Sequence, residues 1–304
     1  MELRDTDLAV RTRGLTKSFG KRTVVDGLDL AIPRGSVYGF LGPNGSGKST
    51  TMKMLLGLLH PSAGQVFLLG EDPWGEARAR LMPRIGSMIE HPPGYGHLTG
   101  AENMRLLARL LNLETTRIDR ALELVRLTDH RDRLQRTYSL GMKQRLGIAM
   151  ALAREPELLI LDEPTNGLDP AGIEEIRELM IHLASGGVTV MISSHLLDEI
   201  DRMADILGVL SQGRLVFQGS RKELFERSIP DLLVVTPQAN AAANLVRGCR
   251  LERNGIRVQG CGQEDAARLI VRLVQEGIPI HEVRRLQQSL EEVFMDLTGG
   301  TEAL

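Results

Sequence analysis

Short, continuous apolar runs punctuate the first two thirds of the chain. The runs at residues 37–41, 158–161 and 188–192 predict strands that are covered on both faces. A further strand is expected near Ile206, before a turn at residues 211–214. Segments with helical spacing separate these runs. The alternation of strands and helices predicts an α/β fold with a parallel sheet and right-handed crossovers.

Two other segments have patterns of their own. Residues 8–32 indicate antiparallel strands that are joined near Phe19. Residues 72–137 read mainly as helices, with an apolar stripe that includes Met104 and Leu111.

The last quarter of the chain mixes short strands with amphipathic helices. Strands are predicted at residues 232–235 and 256–258, and helices at residues 239–246, 266–274 and 290–297, the second of these helices ending at Gly277. We therefore predict a main domain at residues 1–227, with a helical subdomain at about 86–156, and a small α+β accessory domain at 228–304.

The sequence GPNGSGKST at residues 42–50 predicts a phosphate-binding loop between a strand and a helix at about residues 48–59. Its glycines let backbone N–H groups close around phosphate oxygens, and the start of the helix offers partial positive charge. We expect Lys48 to contact the terminal phosphates and the Ser49 hydroxyl to bind Mg²⁺. The candidate ATP-binding residues of this loop are Asn44, Gly45, Ser46, Gly47, Lys48, Ser49 and Thr50.

Two acidic residues, Asp162 and Glu163, follow the buried strand at residues 158–161. Ligands bind at the carboxyl ends of strands in doubly wound sheets. One carboxylate is sufficient to hold Mg²⁺, so we assign Asp162 to the metal and Glu163 to the catalytic base that activates water.

These segments, together with SLGMKQR at residues 139–145 (the signature segment), resemble the ATP-binding subunit of an ATP-binding cassette (ABC) transporter. The resemblance implies a P-loop NTPase core with an antiparallel β subdomain and a helical subdomain. It also implies a two-fold dimer in which Ser139 and Gly141 contact the γ-phosphate that a second copy of the subunit holds. Asp169, in NGLD, matches the loop that acts across the dimer.

The same resemblance assigns roles to three other residues. Phe19 matches the aromatic residue that stacks on adenine, with Val24 as an apolar neighbour. His195 matches the catalytic histidine that contacts the γ-phosphate and organises the attacking water. A core position is the alternative interpretation of Phe19.

Two positions depart from the usual pattern of the family. Leu140 stands where the signature segment normally has its first glycine, and Glu90 stands where most members have a glutamine that binds Mg²⁺ and senses the membrane partner. The resemblance therefore places Glu90 in the ATP site as a third Mg²⁺ ligand, beside Ser49 and Asp162. Glutamate at this position together with SLGMKQR resembles the branch that exports bacitracin, lantibiotics and drugs. The alternative is that Glu90 has little specific consequence.

Composition narrows the class of protein further. The 304 residues are 42% hydrophobic but contain no apolar run of 18 residues, and the formal net charge of −2 gives no electrostatic footprint for nucleic acid. The start of the chain lacks a secretory pattern. We expect a cytoplasmic subunit that is peripheral on the inner face of the membrane through a polytopic permease. Cys249 and Cys261 are expected to be structural.

Two functions are compatible with an ABC ATPase. The chain either powers export through a separate membrane permease, or it is a soluble ATPase that acts on ribosomes or DNA. Soluble members typically carry two cassettes or a long coiled coil between the motif halves, whereas here one cassette occurs and about 90 residues separate Ser49 from Ser139. The sequence therefore favours a transporter subunit that exports a peptide antibiotic, lantibiotic or drug.

Overall fold

The computed structural model of the protein describes residues 4–194, 200 and 202–298, which form two compact units. The first unit extends to Arg221, and the second begins at Lys222. The functional boundary between residues 227 and 228 stays a prediction.

An antiparallel sheet occupies the start of the first unit. Its long strand β1 pairs with β2 and β3, as the sequence predicts for residues 8–32, and also with β5, which the sequence interpretation omitted. The strands are β1 (Leu8–Phe19), β2 (Arg22–Leu28), β3 (Ala31–Pro33) and β5 (Ala63–Leu68).

The main sheet of the first unit is parallel except at one edge. The strands are β4 (Val37–Leu41), β6 (Ile85–Met88), β7 (Leu158–Asp162), β8 (Thr189–Ser194), β9 (Ile206–Ser211) and β10 (Arg214–Ser220). Their order is β10-β9-β4-β8-β7-β6, and β10 pairs antiparallel with β9. All residues of β4, β7 and β8 are buried, which confirms the strands predicted from continuous apolar runs.

Helices of the first unit connect these strands: α1 (Lys48–Leu55), α2 (Arg78–Leu81), α3 (Gly100–Leu111), α4 (Thr115–Leu124), α5 (Leu140–Leu152) and α6 (Pro170–Ser185). The prediction of mainly helices at residues 72–137 was wrong at β6, where only four residues complete the edge of the sheet. The helix predicted at residues 48–59 ends earlier, at Leu55.

The second unit is a four-stranded antiparallel sheet with helices. Helix α7 (Arg221–Arg227) begins at the last residue of the first unit and continues into the second. The other elements of the second unit are β11 (Asp231–Val235), α8 (Ala239–Leu245), β12 (Cys249–Glu252), β13 (Gly255–Val258), α9 (Gln263–Gln275), β14 (Glu282–Leu286) and α10 (Leu290–Thr298). The order is β12-β13-β11-β14. The sequence interpretation omitted β12 and β14, which are edge strands with mostly exposed residues and therefore no clear apolar pattern.

Helix α9 ends where the sequence predicts, because Gly277 adopts a left-handed backbone with φ of 76° just after it. No helix formed by residues 4–194, 200 and 202–298 combines the length and apolar character needed to span a bilayer.

Candidate nucleotide-binding site

The phosphate-binding loop connects β4 to α1 with a backbone that requires glycine. Gly45 and Gly47 have φ values of 79° and 109°, in the left-handed region that disfavours other residues. A Cβ atom at Gly42 would lie 2.5 Å from the Ser46 hydroxyl, and one at Gly47 would lie 2.9 Å from the Val24 carbonyl oxygen. The loop is therefore tightly packed at Gly42 and Gly47, and the lack of side chains at its glycines leaves the backbone N–H groups accessible there.

The loop is also held from outside. The backbone N–H of Gly213, in the turn between β9 and β10, donates to the Ser46 carbonyl at 3.0 Å. The N–H of Asp26 in β2 donates to the Gly213 carbonyl at 2.9 Å. The turn at residues 211–214 thus links the antiparallel sheet to the parallel sheet. The sequence predicts this turn but not its contact with the phosphate-binding loop.

Lys48 is buried at the start of α1. Its Nζ donates to the carbonyl oxygens of Gly42 at 2.6 Å and Pro43 at 3.3 Å. Burial lowers the pKa of Lys48, and the nearby Glu163 and Asp162 carboxylates oppose this shift. The carboxylates of Asp162 and Glu163 therefore lie close enough to Lys48 for their charges to affect its pKa, which places the three residues in one electrostatic neighbourhood.

Asp162 and Glu163 are held by a residue that the sequence interpretation omitted. Ser193 lies opposite Asp162 in the pairing of β7 and β8, and it is fully buried. Its hydroxyl donates to Asp162 Oδ1 at 2.5 Å and accepts from the backbone N–H of Glu163 at 3.0 Å. Glu163 itself has a left-handed backbone with φ of 46°. Ser193 lies two residues before His195 in the sequence. Its proximity to this predicted catalytic histidine was the sequence feature that could have identified it.

The predicted adenine contacts lie at the end of the antiparallel sheet. Phe19 is 52% exposed at the end of β1, so its ring is open to a ligand, and the core alternative does not fit. Lys17 Nζ lies 5.1 Å from the centre of this ring and donates to the His60 carbonyl at 2.7 Å. Val24 is half-buried in β2.

Ser139 and Asp169 both cap the N-termini of helices. The Ser139 hydroxyl accepts from Met142 N–H at the start of α5, and Asp169 Oδ1 accepts from Gly172 N–H at the start of α6. Gly141 lies in the first turn of α5. His195 lies outside the described residues.

Glu90 is paired with Lys53, a contact that the sequence interpretation did not include. Lys53 is in the last turn of α1, and its Nζ lies 2.5 Å from Glu90 Oε1. The hydrogen bond from Lys53 and its charge lower the pKa of Glu90, with a smaller contribution from His91. Glu90 also has a left-handed backbone with φ of 68°.

The residues present fit a nucleotide phosphate group. Among the described residues, the buried Ser46 hydroxyl has no hydrogen-bond partner. It lies beside Gly42, whose carbonyl oxygen accepts from the Lys48 ammonium. No side chain caps the start of α1, where Ser49 and Thr50 are half-buried. Asn44 is exposed in the same loop.

Three oxygen donors are predicted for Mg²⁺: Ser49, Asp162 and Glu90. Glu90 is paired with Lys53, and Asp162 accepts a hydrogen bond from Ser193. No group of three His, Cys, Asp or Glu side chains within the described ranges forms a metal site. Mg²⁺ at a nucleotide takes few protein ligands and completes its shell with phosphate and water.

Comparisons with known proteins agree with this geometry. The sequence model of the ABC transporter family matches residues 25–166. The bacitracin transport ATP-binding protein BcrA of Bacillus licheniformis is 40% identical over 301 residues, which cover 96% of this chain and 97% of the relative. The daunorubicin resistance ATP-binding protein DrrA3 of Streptomyces coeruleorubidus is 37% identical over 306 residues, which cover 96% of each protein.

A solved structure gives the same result for the fold. The cbiO1 protein from Clostridium perfringens, part of the ABC transporter complex cbiONQ, is 30% identical, with a TM-score of 0.67 over 73% of this chain and 92% of that chain. Fold and site thus define an ATP-binding subunit with ATPase function. The chain belongs to the ABC transporter family, and ATP is its nucleotide.

Proposed function

We propose that this chain hydrolyses Mg²⁺-ATP to power export of a peptide antibiotic, of the bacitracin or lantibiotic type, or of a drug, through a separate membrane permease. The observation that carries the catalytic part is the Ser193 bridge, which holds Asp162 and Glu163 at the end of β7 in the electrostatic neighbourhood of Lys48. Similarity to export ATPases along nearly the whole chain supports the transport part.

The residues of the site have separate tasks in this proposal. Lys48 and the start of α1 bind the β- and γ-phosphates, and Phe19 stacks on adenine. Ser49 and Asp162 would hold Mg²⁺, which neutralises phosphate charge when it is bound. Glu163 accepts a proton from the attacking water while the water oxygen forms a bond to the γ-phosphorus. The bond from that phosphorus to the β–γ bridging oxygen breaks, which leaves ADP and inorganic phosphate.

The proposed active form is a two-fold dimer of this subunit. Ser139, Gly141 and Asp169 would act on the nucleotide bound by the second copy. Their position supports this role, because they lie at the N-termini of α5 and α6, where helices present partial positive charge to anions. His195, by contrast, would contact the γ-phosphate of the nucleotide that its own chain binds.

A groove in the first unit fits an apolar segment of the permease. It has a volume of about 400 Å³ and is lined by residues of α3, α5 and β6 and of the segments around them. Most of its walls are apolar, including Leu56, Leu58, Met82, Leu107 and Leu111, and Arg78 and Arg154 also line it. We propose that the permease docks here and keeps the subunit at the cytoplasmic face of the membrane. A soluble ATPase that acts on ribosomes or DNA is not favoured.

Two adjacent leucines on α3 test the docking site. Leu111 lines the groove, whereas Leu110 is 79% exposed and is not among its lining residues. We expect Leu111→Asp to abolish copurification with the permease, because the substitution replaces an apolar wall residue by a carboxylate that an apolar permease segment would cover. Leu110→Asp should retain copurification. Equal behaviour of the two variants would contradict docking at this groove.

The transported substrate is tested with the complete complex. The subunit and the polytopic protein that copurifies with it are produced in a sensitive bacterial host, and resistance to bacitracin, a lantibiotic and an anthracycline is measured. We expect resistance to one of these classes, and its loss in Glu163→Gln. Resistance that persists in Glu163→Gln, or no resistance to any class despite an active complex, would contradict the proposed export function.

A further inference from the structure

The residue that departs from the signature pattern makes a specific contact within its own chain. Leu140 is the first residue of α5, and its side chain lies directly over Gly167. A Cβ atom built at Gly167 would overlap Leu140 Cδ2 and would lie 3.6 Å from Leu140 Cγ. Leu140 therefore occupies the space that a side chain at residue 167 would need.

A second contact runs in the opposite direction. A Cβ atom at Gly141 would lie 3.2 Å from Leu168 Cδ2. The neighbouring residues 140 and 141 thus meet the neighbouring residues 167 and 168, with a leucine facing a glycine in each case. Such complementary packing fixes the distance between two segments, because each glycine allows the opposite leucine to approach closely.

Ion pairs continue this connection along the two helices. Arg145 of α5 pairs with Glu175 of α6. Arg126, which follows α4, also lies 3.1 Å from Glu175 and 3.5 Å from Glu178. The start of α5 and the segment from residue 166 into α6 are therefore joined by apolar contacts at one end and by charged contacts further along.

We propose that Leu140 is a positioning residue that packs on Gly167 and holds the signature segment and the loop at residues 166–169 together as one unit. This inference rests on the proposed function, in which both segments act on the nucleotide of the second copy. A glycine at residue 140 has no side chain to make the contact. Leu140 is also 49% exposed, so its unburied part remains available at the proposed dimer surface.

Packing is tested first by a double-mutant cycle on thermal stability. Gly167→Ala should lower Tm through two effects, overlap with Leu140 and the strain of a side chain at φ of 74°. In the Leu140→Gly background no side chain has to be displaced, so we expect the same substitution to lower Tm by a smaller amount, which leaves only the strain of the left-handed backbone. Gly70→Ala is the matched control, because Gly70 has φ of 86° and no atom within 4 Å of an added Cβ.

Function is tested by kinetics of the complete complex. Leu140→Gly should lower kcat about tenfold, because misplacement of a reacting group by about 1 Å can cost about 100-fold. The Kd for ATP of the isolated subunit should change less than about twofold, because the proposed effect of Leu140 is on the nucleotide of the second copy. Leu140→Met should restore kcat, because it refills the space above Gly167. Amide exchange at residues 166–169 should increase in Leu140→Gly and return to normal in Leu140→Met.

Three results would overturn the inference. The first is an equal Tm loss from Gly167→Ala in both backgrounds, and the second is a Tm loss no larger than that of Gly70→Ala. The third is an unchanged kcat in Leu140→Gly. Absence of ATPase activity in the unmodified complex would instead refute the proposed function, because the Tm cycle measures packing independently of hydrolysis. Leu140→Ala provides a milder variant should Leu140→Gly fold poorly.

Discussion

Ser193→Ala tests whether the buried hydroxyl organises the two acidic residues of the site. The substitution removes a hydrogen bond to the Asp162 carboxylate and leaves the Glu163 N–H without this acceptor. A hydrogen bond to a charged group contributes about 1.5 to 3 kcal/mol and a neutral one about 0.5 to 1.5 kcal/mol. We therefore expect the free energy of unfolding to fall by about 2 to 4 kcal/mol.

Calorimetry and steady-state hydrolysis measure the two consequences. For a unit of this size the stability loss corresponds to a decrease in Tm of about 5 to 15 °C. We expect kcat to fall about 10- to 100-fold, because Asp162 and Glu163 lose their common anchor and a base must be positioned to act. ATP binding should change much less, because Lys48 and the phosphate-binding loop keep their own contacts.

Ser87→Ala, measured in the isolated subunit because Ser87 also lines the proposed permease groove, is the matched control, since Ser87 is an exposed serine in strand β6 of the same sheet. It should leave Tm and kcat nearly unchanged. A Ser193→Ala protein with the Tm and kcat of the control would refute the assigned role of Ser193.

Three further predictions concern residues of the same site. Glu163→Gln should retain ATP binding and accumulate an ATP-bound dimer while hydrolysis falls about 10² to 10⁴-fold; near-normal hydrolysis would remove Glu163 from its role. A mixture of Lys48→Ala and Gly141→Asp subunits should regain up to about half of normal hydrolysis, one composite site of two; demonstrated heterodimers without activity would contradict shared sites. Lys53→Met should raise the pKa of Glu90 towards 4.5, measured by carboxyl NMR titration. Because Lys53 lowers this pKa, the pair stabilises the fold fully above pH 4.5, and this stabilisation is lost as pH falls through the lowered value. An unchanged pKa in the variant would contradict the pairing.

The parts of the structure that depend on local sequence were predictable. The buried strands β4, β7 and β8 are continuous apolar runs, and this pattern is set by burial on both faces of the sheet. The phosphate-binding loop was predictable because its glycines are required by a local backbone geometry.

Contacts between distant segments were not predictable in the same way. Ser193 becomes important only when β8 pairs beside β7 and places its hydroxyl next to Asp162. The contact of Leu140 with Gly167 likewise depends on how α5 packs on the loop before α6. A single sequence identifies the unusual leucine but gives no information about what it touches.

The Lys53–Glu90 pair explains how a carboxylate can stand where the family usually has an amide. Lys53 is in the last turn of α1, whose first turn borders the phosphate-binding loop, and Glu90 follows β6 at the start of the segment that leads to α3. The pair therefore links α1, which is proposed to bind phosphate, to the segment that includes Pro93 and borders the proposed permease groove. A glutamine at residue 90 could accept a hydrogen bond from Lys53 but would lack the charge attraction. On this argument Glu90→Gln should retain hydrolysis by the isolated subunit within about tenfold, about 1.4 kcal/mol in barrier, and should impair export by the complete complex. Unchanged export, measured on the same preparation as hydrolysis, would mean that the pair does not transmit the state of the nucleotide to the permease.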